Sequence, residues 1–318
     1  MTKRVLITGS TGYIGQHLTQ RLLSSTETEV FAFNRSYDTR LLADHCREGD
    51  LLNANLLDWL KKVRPHAIFH CAGTGPRAPF DQQMLLHAEG TRRLLQTLVD
   101  VNQVPVVVMP GTLAEYGSLG ENMAESLPCQ PESGYGISKL AQTLMAQSFA
   151  RKYNLPVMIG RIFNVYGQTP RHLTVASMAS QLAHAERVAP DYAELHLYNL
   201  RSRRDFVHID DVVNALLALS ELASRNETCG QVYNIGSGES TPISIILDTL
   251  LENAQLSPEA LKRVSMRLHG VQQEDNSFAD IGKITQHTGW KPTVSLENGL
   301  RRELNYWRAY APMAVATS

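Results

Sequence analysis

Val5-Leu6-Ile7-Thr8-Gly9-Ser10-Thr11-Gly12-Tyr13-Ile14-Gly15, followed by the helical run Gln16 to Leu23, sets the architecture of this chain. A short apolar run, three glycines at intervals of three and then a helical segment read as a strand, a tight turn and a helix. Glycines at 9, 12 and 15 let the chain turn sharply, let a pyrophosphate approach the backbone and let the helix pack closely on the strand. The helix N-terminus then turns its free N–H groups and positive dipole end toward the phosphates. A glycine triplet between a strand and a helix, at the start of the chain, predicts dinucleotide binding.

The rest of the first half repeats the alternation. Val30-Phe31-Ala32-Phe33, Ala67-Ile68-Phe69, Val106-Val107-Val108-Met109 and Val157-Met158-Ile159 are compact apolar runs bounded by polar or turn residues, as expected of strands buried on both faces. Between them, Asp81 to Val101 places Leu85, Ala88, Thr91, Leu94, Leu95 and Leu98 at helical spacing. Strand–helix alternation predicts right-handed crossovers and an α/β fold, a Rossmann-like doubly wound parallel sheet. After about residue 165 the rhythm breaks, with Pro170, Pro190, Pro242 and Pro292 punctuating mixed helices and strands. The expected division is a cofactor-binding domain of residues 1–168 plus about 205–235, and a smaller mixed α/β substrate-binding lobe of 169–204 and 236–318. Residues 313–318 are expected to be frayed.

Composition narrows the classes. The chain has 318 residues, 43% hydrophobic and 19% charged, enough to bury a sizeable core. Thirty basic against thirty-one acidic side chains give a formal net charge of −1, which removes the electrostatic argument for nucleic acid or an anionic membrane. Cys46, Cys71, Cys129 and Cys229 form no CxxC pair, so a reducing, cytoplasmic compartment is expected. The apolar run after Met1-Thr2-Lys3-Arg4 is too short for a signal-peptide core, and no membrane span is expected. The eleven histidines show no ligand spacing, so no metal is expected.

The second strand ends Phe33-Asn34-Arg35-Ser36. A carboxylate at this place would bind the ribose hydroxyls of NAD; Arg35 instead attracts a 2′-phosphate, which predicts NADP(H). Farther on, Tyr135-Gly136-Ile137-Ser138-Lys139 opens a helix running to about Tyr153. Four-residue spacing puts the Tyr135 phenol and the Lys139 ammonium on one face. A phenol titrates near 10. The ammonium, together with the positive nicotinamide of an oxidised cofactor, is expected to stabilise the phenolate and bring it into working range. Thr112 follows the strand Val106 to Met109, where strand C-termini line the crevice of an open sheet, so its hydroxyl is expected to face the ligand beside Tyr135.

Several motifs in one order carry a resemblance. Besides the glycine loop and Tyr-Gly-Ile-Ser-Lys there are Gly49-Asp50-Leu51, His70-Cys71-Ala72-Gly73, the run from Arg161 to Gly167, that from Arg204 to Asp211, and Tyr233-Asn234-Ile235-Gly236-Ser237-Gly238. Over nearly its whole length the sequence resembles extended short-chain dehydrogenases/reductases of the nucleotide-sugar epimerase/dehydratase group. The resemblance implies catalysis by Thr112, Tyr135 and Lys139, with Lys139 also holding the nicotinamide ribose. It implies a cofactor site of Gly9, Thr11, Gly12, Tyr13, Ile14, Gly15, Asn34, Arg35, Ser36, Asp50, Leu51, Ala72 and Gly73, with Asp50 and Leu51 flanking the adenine. Asn164 and Arg204, with Thr112, would contact a nucleotide-diphosphate sugar; an ion pair from Arg204 to Asp210 or Asp211 is the other reading of that arginine. A homodimer through the helices around 81–101 and 135–153 is implied as well.

Within that group, dehydratases resemble one another in carrying an acidic pair or Ser-Glu after the threonine. Leu113 and Ala114 stand here and can neither give nor take a proton. Glu115 lies one place later and is not assigned that role. A 4-keto reductase consuming NADPH and a 4-epimerase retaining its cofactor both remain, as does a non-catalytic dinucleotide-binding sensor. Asn34-Arg35 favours reduction, and the stretches Ala176 to Arg187 and Tyr198 to Phe206 resemble those of GDP-4-keto-6-deoxy-mannose reductases, which make GDP-rhamnose. Two departures stand out. His87 replaces what looks like a family asparagine and is expected to be structural. Gly270-Val271-Gln272-Gln273 lacks the arginine of a family Arg-Pro-x-Asp, which leaves Arg267 as the candidate to stand in for it.

Overall fold

The computed structural model describes residues 2–53, 56–118, 120–168, 170–188, 194–224, 229–262, 264–269 and 275–310. Pro190 and the segments 270–273 and 313–318 singled out above lie outside them. The first half runs β1 (Lys3–Thr8), α1 (Tyr13–Leu23), β2 (Thr28–Asn34), β3 (Cys46–Glu48), α2 (Leu56–Val63), β4 (Ala67–His70), α3 (Phe80–Met84), α4 (Gly90–Asp100), β5 (Val106–Thr112), α5 (Gly134–Tyr153) and β6 (Val157–Ile162). Then follow β7 (Asn164–Tyr166), α6 (Thr174–Val188), β8 (Glu194–Leu197), β9 (Arg203–Arg204), β10 (Phe206–His208), α7 (Ile209–Ala223) and β11 (Gln231–Ile235). The chain continues through β12 (Thr241–Pro242), α8 (Ile243–Glu252), α9 (Pro258–Lys262), β13 (Ser265–Leu268), β14 (Asn276–Ser277), α10 (Gly282–Thr288) and α11 (Leu296–Tyr310).

Seven strands form one parallel sheet in the order β11-β6-β5-β4-β1-β2-β3. This is the doubly wound sheet expected from the alternation. Each strand alternates its side chains between two covered faces. Val5, Ile7, Val106 and Val108 enter a core under α1 and α7, whereas Leu6, Val107 and Met109 enter a second core with residues of α2, α4 and α5. The strand order reverses at β1, which pairs β2 on one side and β4 on the other, and a reversal opens a crevice at the strand C-termini. A third apolar core joins α6, α8 and α11 around Leu182, Leu250 and Leu304. No helix among the described residues is long and apolar enough to cross a membrane.

The structure departs from the single helix expected over Asp81 to Val101. Leu85–Glu89 forms a π-helical turn between α3 and α4. The wider turn carries His87 inward, where the ring is only 1% exposed.

Candidate active site

The glycine loop closes between two strands. Gly9 adopts φ +72°, and a Cβ there would stand 2.7 Å from the backbone of Ala72, so only glycine lets the loops after β1 and β4 meet. Gly12 begins α1 without any side-chain cap, which leaves the helix N–H groups to a ligand. Asn34 pins the loop from β2: its Oδ1 accepts the Ser10 N–H at 2.8 Å and its Nδ2 donates to Ser10 Oγ at 2.8 Å. An open cradle, uncapped N–H groups and a glycine floor fit the pyrophosphate of a dinucleotide.

The end of β2 holds more than the sequence reading found. Asp38, 2% exposed, accepts from Ser10 Oγ and from Arg40 Nε at 2.7 Å. Arg40 also donates to the carbonyl oxygens of Ser10 and Gln16 at 2.8 and 3.0 Å. The Asp38 carboxylate is thereby neutralised, while Arg35 is exposed and ion-paired to no carboxylate among the described residues. Asp50 accepts the Leu52 N–H at 2.9 Å, and Leu51 is buried in the core under α2 and α4.

A cleft of about 880 Å³ opens along the C-terminal ends of β1, β4 and β5. Gly12, Tyr13, Ile14, Ala72, Gly73, Thr112, Tyr135, Lys139, Asn164 and Arg204 all line it. Of the expected site residues, Gly9, Thr11, Gly15, Asn34, Arg35, Ser36, Asp50 and Leu51 do not; they lie around the ends of β1, β2 and β3. Sequence reading missed His87, His172 and His196 as wall residues.

Thr112 is the last residue of β5 and caps a 3-10 turn, Leu113–Glu115. Its N–H donates to Glu115 Oε1 at 2.9 Å and its Oγ accepts the Ala114 N–H at 3.3 Å. Glu115 is turned inward, fully buried, where Arg161 Nη2 donates to it at 2.9 Å and Thr143 Oγ1 at 3.0 Å. α5 packs against this turn so tightly that a Cβ on Gly136 would collide with the Ala114 carbonyl oxygen. Close packing sets the Tyr135 phenol beside the Thr112 hydroxyl, both on the wall of the cleft.

Burial pushes the pKa of the Tyr135 phenol up to about 12, aided by the charge of Glu115, against the hydrogen bond from Thr112. Lys139 Nζ donates instead to the Pro110 carbonyl oxygen at 2.7 Å and to Gln142 Oε1. Burial in turn lowers the lysine to about 8, opposed by Glu115 and Cys71.

His87 is a tie between three elements. Its Nε2 accepts the Thr74 N–H at 3.1 Å, its Nδ1 contacts Ser138 Oγ at 2.8 Å, and that hydroxyl donates to the Tyr135 carbonyl at 2.8 Å. Burial, then the Lys139 charge, lowers both His87 and His70 to about 3. Histidines in an unfolded chain titrate near 6.5. Between pH 6.5 and about 3 the unfolded state therefore binds more protons, so the stability present above 6.5 is lost as pH falls. Acid melts should lose about 1.4 kcal/mol per pH unit for each of these histidines in that window. His87→Asn should flatten the slope by one such share; an unchanged slope would contradict the assignment.

The alternative ion pair of Arg204 and the stand-in role of Arg267 are corrected. Arg204 lines the cleft and pairs with Asp275, whereas Asp210 pairs with Arg302 and Asp211 accepts from Thr293 and Val294. Arg267 points away: it pairs with Glu194 and its side chain is 67% exposed, so it does not stand in for the missing arginine. Asn164 donates to the Asp205 carbonyl at 3.0 Å.

A doubly wound sheet with a Thr–Tyr–Lys set at its crevice defines the extended short-chain dehydrogenase/reductase class. The chain belongs to the NAD dependent epimerase/dehydratase family, whose model matches residues 5–236. It is 28% identical to the dTDP-6-deoxy-L-talose 4-dehydrogenase (NAD(P)(+)) of Kitasatospora kifunensis, over 98% of this chain and 97% of that one. It is also 28% identical to the GDP-6-deoxy-D-mannose reductase of Pseudomonas aeruginosa, over 97% and 98%. Among solved structures it is similar to RMD from Pseudomonas aeruginosa complexed with NADPH, with a TM-score of 0.80 at 25% identity, covering 97% of this chain and 100% of that one. Relatives at 25–26% identity include 4-epimerases and a 4,6-dehydratase of nucleotide sugars.

Proposed function

We propose that this protein is an NADPH-dependent 4-keto reductase of a nucleotide-linked 4-keto-6-deoxy hexose, with GDP-4-keto-6-deoxy-D-mannose reduced to GDP-D-rhamnose as the preferred assignment. The observation that carries the reading is the turn after Thr112. Leu113 and Ala114 face the cleft without an acid or base, and Glu115 is buried against Arg161. Such a turn supports moving one proton at one oxygen and offers, in the two places after Thr112, no acid or base with which to remove water from the neighbouring carbons.

NADPH supplies the hydride. Tyr135, held neutral by burial, gives its proton to the developing C4 alkoxide, and Thr112 fixes that oxygen. Lys139 holds the nicotinamide ribose, and Asn164 and Arg204 bind the nucleoside diphosphate. Arg35 selects the 2′-phosphate, with its own guanidinium exposed and ion-paired to no carboxylate among the described residues. In this reading residues 1–168 with about 205–235 hold the cofactor, and 169–204 with 236–318 hold the sugar nucleotide. Exposed Phe80, Leu85, Ile137 and Leu144, on α3, the π turn and α5, support a homodimer through those helices.

The assignment is tested by stoichiometry and cofactor choice. One NADPH should be oxidised per sugar reduced, and Arg35→Asp should weaken NADPH by about 10-fold or more relative to NADH. Sugar turnover without net NADPH loss would indicate a 4-epimerase instead, and an unchanged cofactor ratio would remove Arg35 as selector.

A further inference from the structure

Lys139 is a buried cation whose surroundings are built from farther away than its helix. Behind it runs a chain of hydrogen bonds through four elements. Thr8 Oγ1 accepts the Ala72 N–H at 3.3 Å and lies in hydrogen-bond contact with His70 Nδ1, 2.7 Å away. The neutral His70 ring continues the chain through Nε2, 3.0 Å from Thr91 Oγ1. Gln142 Nε2 donates to the same Thr91 oxygen at 2.9 Å. With its NH₂ so fixed, the Gln142 amide has one orientation left, and its Oε1 faces the Lys139 ammonium. Gln142 is 2% exposed, and all five side chains of the chain lie at 8% exposure or less.

We infer that Gln142 is the positioning residue for Lys139: anchored through Thr91, His70 and Thr8, it holds the ammonium against the Pro110 carbonyl and sets how firmly that charge is available to a bound cofactor's ribose. The inference rests on Lys139 being the ribose-holding group of the reading above.

A neutral amide is an intermediate choice of partner. It satisfies an N–H of the ammonium without the attraction of a full negative charge, so burial still draws the lysine down to about 8. The other titratable groups facing the amine are Cys71 after β4 and Glu115 after β5, which favour its charged form, and the neutral His70 of β4 and His87 of the π turn. Tyr135 lies one turn earlier on α5. Loss of the acceptor in Gln142→Met removes support for the charged form, and a carboxylate in Gln142→Glu adds to it. The two variants therefore move the lysine in opposite directions, which a merely structural role for Gln142 does not.

The test is NADPH binding by fluorescence across pH 6.5 to 9.5, on the full chain without sugar, with thermal melts of each variant. In the wild type, affinity should weaken on the alkaline side as Lys139 loses its proton. The midpoint of that loss should lie about one pH unit or more lower in Gln142→Met and higher in Gln142→Glu. Folded variants that keep the wild-type midpoint would overturn the inference. Wild-type protein that binds no NADPH at any pH would overturn it together with the function proposed above. Should Gln142→Met melt too low to assay, the upward displacement in Gln142→Glu decides alone.

Discussion

Tyr135→Phe should lower kcat by about 10²- to 10⁴-fold while NADPH and the sugar nucleotide bind within a few-fold of the wild type. The ring is kept, so its edge contact with His87, 5.7 Å between centroids, and the fit of α5 on the Thr112 turn are retained. Only the transferable proton is removed. The structure leaves no replacement at that turn: Thr112 is a far weaker acid, Leu113 and Ala114 after it are aliphatic, and Glu115 faces the protein interior. Steady-state kinetics alongside NADPH fluorescence titration separates the two quantities. A Phe variant that turns over at the wild-type rate would remove Tyr135 as the proton donor.

Arg161→Met should destabilise the protein by about 3–5 kcal/mol, because it strands a buried carboxylate. Glu115 is 0% exposed, and Arg161 reaches it through both Nε, at 3.2 Å, and Nη2, at 2.9 Å, while its guanidinium stacks 4.2 Å from the Tyr116 ring. The same carboxylate accepts the Thr112 N–H, so the loss should reach the active site and lower kcat as well. Replacing both partners, as Arg161→Met with Glu115→Leu, should restore much of the stability but not the activity, since neither charge of the pair is left stranded yet the Thr112 N–H still lacks its acceptor. Denaturant unfolding with initial rates measures both. Equal stability in the single variant and the wild type would contradict the buried-pair account.

The sequence made some of this legible and hid the rest for a physical reason. β1, the glycine loop and α1 could be read directly because their chemistry is local: an apolar run, a turn that needs glycine, a helix that follows. Tyr135 and Lys139 were visible for the same reason, four residues apart on one helix. The environment of those two groups was not. Lys139 is held by Pro110 and Gln142, and the latter is oriented by Thr91, His70 and Thr8; spacing along the chain carries no trace of that link. The same holds for Glu115 and Arg161, 46 residues apart, and for Arg204 and Asp275, 71 apart. The π turn at 85–89 was hidden in another way. One inserted residue leaves apolar spacing close to that of an α-helix, so Asp81 to Val101 read as continuous. β3, Cys46–Glu48, is short and polar at the sheet edge and offers no apolar run to find.

The most direct test of the proposed reduction is the fate of a labelled hydride. NADPH carrying deuterium at C4 of the nicotinamide, on the face from which the hydride leaves, should be incubated with GDP-4-keto-6-deoxy-D-mannose and the product examined by mass spectrometry and NMR. Both C4 label positions should be tried. One of them should place a single deuterium at C4 of the sugar, with one oxidised cofactor formed per product. A sugar carrying no deuterium from either form, with the NADPH left intact, would contradict reduction.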